Sequence, residues 1–316
     1  MNKIERVDTV FRGGKPDKIP ALFWFHYNKD FDAREMAEAH LKTYRETDVD
    51  IYKIQQEYIQ ALNTVVQKPE DWNKVKFPGR SSSVYQKLLD VVKRIVDAAG
   101  HEAMVFQTMY GPLKTAVQSC GYDLMMAHAK EAPDLLFAAV MNIAEAQTEW
   151  AAGFVEAGAA GIFYCAQNSE PDRFTREEFN KLVTTGDLPV LKAIEDKGGR
   201  ILLHICGEWD YQFRSTPEWY TAYPATIYTW SIKDTGISLK KGREIFAGKP
   251  IMGGINNKGN IVKGSKESIV DEVNTVIASA GTTEGFMLTA DCSLQGEGIS
   301  HEKIRVAVDA SHAYPV

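Results

Sequence analysis

The sequence predicts an α/β fold, a (β/α)8 TIM barrel, on two observations: eight short apolar runs, and longer segments of helical periodicity between them. The runs lie at 21–25, 51–54, 103–108, 161–165, 201–206, 225–229, 250–253 and 285–289. Bounded apolar runs of this length suit strands buried on both faces, as parallel sheets require. Eight of them alternating with helices favour a closed barrel over an open, doubly wound sheet. Barrels routinely exceed the usual domain length, so one domain over residues 1–316 is expected. Its first residues are expected to pack across the base or side of the barrel. Residues 59–82 hold more loop than a minimal barrel needs, which is expected as an elaboration at the mouth.

Among the helical segments, 134–157 is the clearest. Leu136, Val140, Ile143, Trp150 and Phe154 recur at helical spacing; Pro133 stands where a helix can begin and Gly158 where it can end. Segments 265–280 and 300–313 each open on a serine, Ser265 and Ser300, suited to accept a hydrogen bond as an N-cap.

With 44% hydrophobic and 25% charged residues, the chain can bury a core without disulfides. A net charge of −6 argues against a nucleic-acid partner, which calls for clustered Lys and Arg. No run of about 18 apolar residues is present, so no membrane span is expected. The opening residues Met1–Arg6 lack the apolar stretch of a signal peptide, and a cytoplasmic location is the expectation. There Cys120, Cys165, Cys206 and Cys292 are thiols or metal ligands rather than disulfide partners.

The sharpest local feature is Leu203-His204-Ile205-Cys206-Gly207. Residues two apart in a strand point to the same face, so His204 and Cys206 can aim at one point. They stand at the strand's C-terminal end, where barrel enzymes build their sites. Cys292, just beyond the eighth strand, falls on the same rim. One imidazole and two thiolates suit zinc, and three protein ligands leave a fourth position open, the pattern of a catalytic site. A buried His and Cys that merely pack together would give the same local sequence.

Other rim residues are candidates for substrate contact. Trp24 stands at the end of the first strand and His26 and Tyr27 follow it, where an aromatic lip is the alternative. Gln56 and Glu57 follow the second, and Glu57 also fits a solvated loop charge. Tyr110 follows the third strand as a pocket wall. Asn168 follows the fourth, where Cys165 reads as core. Asn256 stands in Gly253-Gly254-Ile255-Asn256-Asn257, after the seventh strand, where barrels often hold phosphate, although a tight turn explains the glycines equally. His40, His101, His128, His301 and His312 read as structural or solvated.

Over nearly its whole length the chain resembles the uroporphyrinogen decarboxylase superfamily. The resemblance rests on Phe11-Arg12-Gly13-Gly14-Lys15-Pro16-Asp17-Lys18-Ile19-Pro20, on Gly111-Pro112-Leu113 and on Glu156-Ala157-Gly158-Ala159-Ala160-Gly161-Ile162. Leu203–Gly207 resembles the zinc motif of the superfamily's cobalamin-dependent methyltransferases, and Cys292 falls where that branch places its last cysteine. The resemblance implies a (β/α)8 barrel with zinc on His204, Cys206 and Cys292. It implies methyl transfer between a corrinoid, carried by a separate partner protein, and a small thiol, methoxylated or methylated substrate. Some relatives add an acidic fourth ligand after the sixth strand; here Asp234 and Glu208 are the nearest acids. The decarboxylases hold a tetrapyrrole's carboxylates with arginines after the first strand, whereas this chain has His26-Tyr27-Asn28-Lys29. Lysine does not reproduce the guanidinium fork. Porphyrinogen or small-acid decarboxylation, and a non-catalytic zinc-binding barrel, are the alternatives.

Overall fold

The structure is a computed structural model and describes residues 1–58, 62, 64–207 and 214–316. Its eight strands are β1 Ala21–Leu22, β2 Ile51–Ile54, β3 Met104–Tyr110, β4 Gly161–Ala166, β5 Arg200–Ile205, β6 Ile227–Trp230, β7 Ile251–Ile255 and β8 Phe286–Ala290. They form one sheet in the order β1-β8-β7-β6-β5-β4-β3-β2, parallel at every pairing. This is the predicted (β/α)8 barrel.

The seam between β1 and β2 is closed by one residue. The Asp50 amide donates to the Ala21 carbonyl at 2.9 Å, and the Ala21 amide donates to Asp50 Oδ2 at 2.8 Å. The Asp50 side chain is fully buried and also receives Arg6 Nη1 and faces His312 Nε2, each at 2.8 Å. A carboxylate can accept from several donors at once, so it stands in for the ladder bonds that a two-residue β1 lacks. β1 was expected to reach residue 25. It stops at Leu22, and farther along the Trp24 carbonyl instead accepts the amide of Leu294 from the turn after β8, at 2.8 Å.

Strand alternation puts Leu22, Ile51, Met104, Phe106, Phe163, Leu202, Ile227, Met252 and Met287 into the barrel interior, all buried. Helix α1, Lys3–Phe11, adds Val7, Val10 and Phe11 to that cluster, with the Phe11 ring edge-on to Phe106 at 6.2 Å. The N-terminal extension therefore plugs the lumen, and Asp8 of α1 pairs with Arg200 at the start of β5.

A second, larger core lies between the sheet and the surrounding helices. The main ones are α2 Ala33–Thr47, α3 Ser83–Ala99, α4 Pro133–Glu156, α5 Thr185–Asp196, α6 Leu239–Ile245, α7 Lys266–Ser279 and α8 His301–Ala313. Helix α4 matches its apolar periodicity, and Gly158 just after it has φ +99°, a conformation only glycine adopts freely. Ser265 and Ser300 cap α7 and α8 as expected, accepting from the amides of Ser268 and Lys303. The long connection after β2 contains a short helix, Pro69–Lys74, whose buried Trp72 donates to His128 Nδ1 at 3.1 Å. Among the described residues no helix is long and apolar enough to cross a membrane.

Candidate metal centre and the barrel-mouth cavity

His204 is the fifth residue of β5, and the Cys206 amide extends the ladder by donating to Ala166 O at 2.8 Å. Both side chains therefore face the lumen side. Beyond β8 the chain is pinned on two sides. The Asp291 amide donates to Ile255 O at 2.8 Å, and Asn257 Nδ2 donates to Ser293 O at 2.9 Å. This turn delivers Cys292 to the same point. One ligand atom each from His204, Cys206 and Cys292 lies within 4.8 Å of the others.

The His204 ring sits between Trp24, 5.7 Å away and edge-on, and Phe163 at 5.5 Å. It is only 2% exposed, yet neither ring nitrogen has an oxygen or nitrogen hydrogen-bond partner among the described residues; the Cys292 sulfur is the polar group that faces it. A buried polar atom left unpaired costs about 1–3 kcal/mol, which metal ligation at one nitrogen would remove there. Cys206 and Cys292 are unbridged and act on one another: Cys206 and His204 beside it hold Cys292 well below the usual thiol range, while Cys206 is pushed up by Cys292 and by burial. A borderline-soft imidazole–thiolate set with one sulfur already inclined to the thiolate fits zinc.

The group opens into a cavity of about 610 Å³ at the C-terminal end of the strands, within the range for small-molecule sites. Trp24, His26, Tyr27, Gln56, Glu57 and Tyr110 all line it. Glu57 accepts the Tyr27 amide at 2.7 Å and faces His26 Nδ1 at 3.0 Å, so His26 and Glu57 form one unit on the rim. Cys165, read from sequence as core, is buried and also reaches the cavity wall; burial pushes its thiol up to about 12.

Two expected contacts lie off the wall. Asn168 is 1% exposed, with φ +73°, and its amide donates to the hydroxyl of Tyr122, which does line the cavity. The left-handed backbone turns Asn168 behind Tyr122. Asn256 lies instead at a neighbouring hollow with Arg214, Lys233 and Lys258, its side chain accepting the Lys258 amide at 3.1 Å. Asp234 borders both spaces but is not within the close group of metal donors. Glu208 lies outside the described residues.

Asp291, Gln55 and Lys53 are among the cavity residues that sequence reasoning missed. Asp291 is buried, its carboxyl raised to about 7 by burial. Gln55 follows β2 with its amide donating to His40 Nε2 at 2.9 Å. Lys53, inside β2, is 2% exposed with its ammonium in the lumen. The signal for Lys53 was its place two residues after Ile51, on the inward face of a strand otherwise fit only for apolar side chains.

Fold and cavity define an α/β-barrel protein with a His/Cys/Cys group that could hold a metal ion at the C-terminal mouth. Residues 47–314 match the family model for uroporphyrinogen decarboxylase (URO-D), and the chain belongs to that family. A methyltransferase from Methanosarcina mazei is similar in fold, with a TM-score of 0.80, 18% identity and 98% of each chain covered. A B12-independent methionine synthase from Shewanella sp. W3-18-1, in complex with selenomethionine, has a TM-score of 0.59 at 14% identity, covering 94% of this chain and 92% of that one. An endo-1,4-beta-mannanase from Rhizomucor miehei has a TM-score of 0.57 at 10% identity over 95% of each chain, so the shared barrel by itself does not specify chemistry. No curated protein matches the sequence.

Proposed function

We propose that the protein is a zinc-dependent methyltransferase, moving a methyl group between a corrinoid carried by a partner protein and a small thiol, methoxylated or methylated substrate. The observation that carries this reading is the convergence of His204, Cys206 and Cys292 at the barrel mouth, with the buried His204 ring left without an oxygen or nitrogen partner among the described residues. These three residues would hold the metal. Bound zinc supplies a Lewis acid that lowers the proton affinity of a thiol or oxygen substrate at neutral pH. Trp24 and Phe163 fix the His204 plane, and Trp24, Tyr110 and Tyr122 shield the reacting end of the cavity from water. The rim at His26, Tyr27 and Lys29 is the entry for the partner's cofactor. The methyltransferase from Methanosarcina mazei, with the same fold over 98% of both chains, supports the assignment.

Porphyrinogen decarboxylation is disfavoured by the cavity wall. Among the described lining residues there is no arginine to clamp carboxylates bidentately. The test is methyl transfer to and from cob(I)alamin and methylcobalamin, free and protein-bound, across thiols and methoxylated compounds, followed by corrinoid absorbance. Turnover that depends on zinc is expected. No turnover with any corrinoid, together with carbon dioxide release from a porphyrinogen by metal-free protein, would overturn the assignment.

A further inference from the structure

Lys53 is a cation in the floor of the cavity with too few partners. Its ammonium lies 5.0 Å from the centre of the Trp24 ring and 4.5 Å from that of Phe163. Its hydrogen-bond acceptor is the side-chain carbonyl of Gln55. That amide is held in place: the Gln55 backbone is tied to His40, and its side-chain nitrogen faces the His26 ring at 3.3 Å. No carboxylate lies within salt-bridge distance of Lys53 among the described residues; Glu57 is engaged by His26 and the Tyr27 amide. An ammonium carries three donors, and two ring faces with one amide do not replace its hydration. A buried charge in that condition calls for a counter-ion.

The metal group would not provide one. Two thiolates and a neutral imidazole cancel the charge of a divalent ion, so the loaded group leaves the Lys53 charge unanswered, and Glu57 on the cavity wall acts on it only from beyond salt-bridge distance. Lys53 and His204 share the same two aromatic neighbours, Trp24 and Phe163. The ammonium is thus within the length of a small organic acid of the metal donors.

We infer that Lys53 is a specificity-determining residue that binds a substrate carboxylate, and that the cavity takes a small monocarboxylic acid whose far end bears the methyl group or thiol. The aromatic walls accept the apolar body, Lys53 and Gln55 fix the acid, and the other end meets His204, Cys206 and Cys292. This rests on the proposed methyl transfer only for the identity of the reacting end; the carboxylate subsite stands or falls by binding alone.

The experiment is calorimetric titration of the zinc-loaded protein with matched pairs that differ only in charge: 4-methoxybenzoate against its methyl ester, and 3-mercaptopropionate against its amide. Each acid is expected to bind at least about tenfold more tightly than its neutral partner, the scale of one buried charge-assisted hydrogen bond. Lys53→Met, whose unbranched thioether suits the aromatic slot, is expected to abolish that preference while leaving the neutral ligands' affinity and the zinc content unchanged. Lys53→Gln repeats the test if the methionine variant fails to fold. Equal binding of acid and neutral partner by the native protein, no saturable binding of either acid, or a preference that survives in the variants would overturn the assignment. Carboxylate binding without methyl transfer would keep it and sink the methyltransferase reading instead.

Discussion

Removing the Asp50 carboxylate is expected to cost about 3–5 kcal/mol, the usual loss when one member of a buried ionic cluster is deleted. The figure follows from what Asp50→Ala leaves behind. The Ala21 amide loses its acceptor inside the β1–β2 seam, worth about 1–3 kcal/mol by itself. Arg6 keeps Asp17, at 2.8 Å and 3.2 Å, so only part of its charge is stranded. His312 loses its contact with Asp50 Oδ2. Asp50→Asn keeps one acceptor oxygen and should recover about 1–2 kcal/mol of that loss, the net worth of one hydrogen bond. Equilibrium urea unfolding followed by tryptophan fluorescence measures both. The seam also sets β1 against β2, and hence Trp24 against Lys53, so the destabilised variant should bind cavity ligands more weakly. A loss below about 1 kcal/mol for Asp50→Ala, within the range of ordinary surface changes, would refute the idea that this residue closes the barrel.

Two further perturbations probe the walls. A Cβ on Gly242 would stand 2.0 Å from the ring of buried Trp230, whose indole N–H is fixed to Ile237 O at 2.9 Å; Gly242→Ala should cost about 1–3 kcal/mol, and an unchanged Tm would contradict it. His40 donates from Nδ1 to Met36 O and accepts the Gln55 amide at Nε2, so it must stay neutral, and burial holds it down to about 4. Because the unfolded chain takes up that proton first, stability conferred by neutral His40 is present above about pH 6.5 and is lost as pH falls towards 4. The loss amounts to about 2–3 kcal/mol. His40→Gln should flatten that part of the stability–pH curve, and an unaltered slope would show that His40 does not cause it.

The strand positions were legible because burial on both faces leaves short bounded runs such as Ile201-Leu202-Leu203, and eight of them alternating with helices favour a barrel. The convergence of His204 and Cys206 was legible because a two-residue strand period converts His204-x-Cys206 directly into geometry. Other features depend on contacts distant in sequence. Asp50 reads as a loop acid until Ala21, Arg6 and His312 surround it. β1 reads longer than it is, because the turn after β8, rather than a neighbouring strand, takes the carbonyl of Trp24. Asn168 and Asn256 each follow a strand end, yet a left-handed backbone turns one behind Tyr122 and a turn contact with Lys258 holds the other in the next hollow. Lys53 carried the clearest unread signal, a charge on the inward face of an apolar strand.

The metal content of the purified protein tests the central claim most directly. Native protein and the Cys206→Ala and Cys292→Ala variants, each shown to be folded by circular dichroism, would be analysed by plasma mass spectrometry after removal of loosely held ions. The account predicts about one zinc per native chain and loss of most of it in both variants, because each removes one of three ligands from a rim site on which the barrel's folding does not depend. Full zinc occupancy in both variants, or native protein that takes up no zinc when it is supplied, would contradict it.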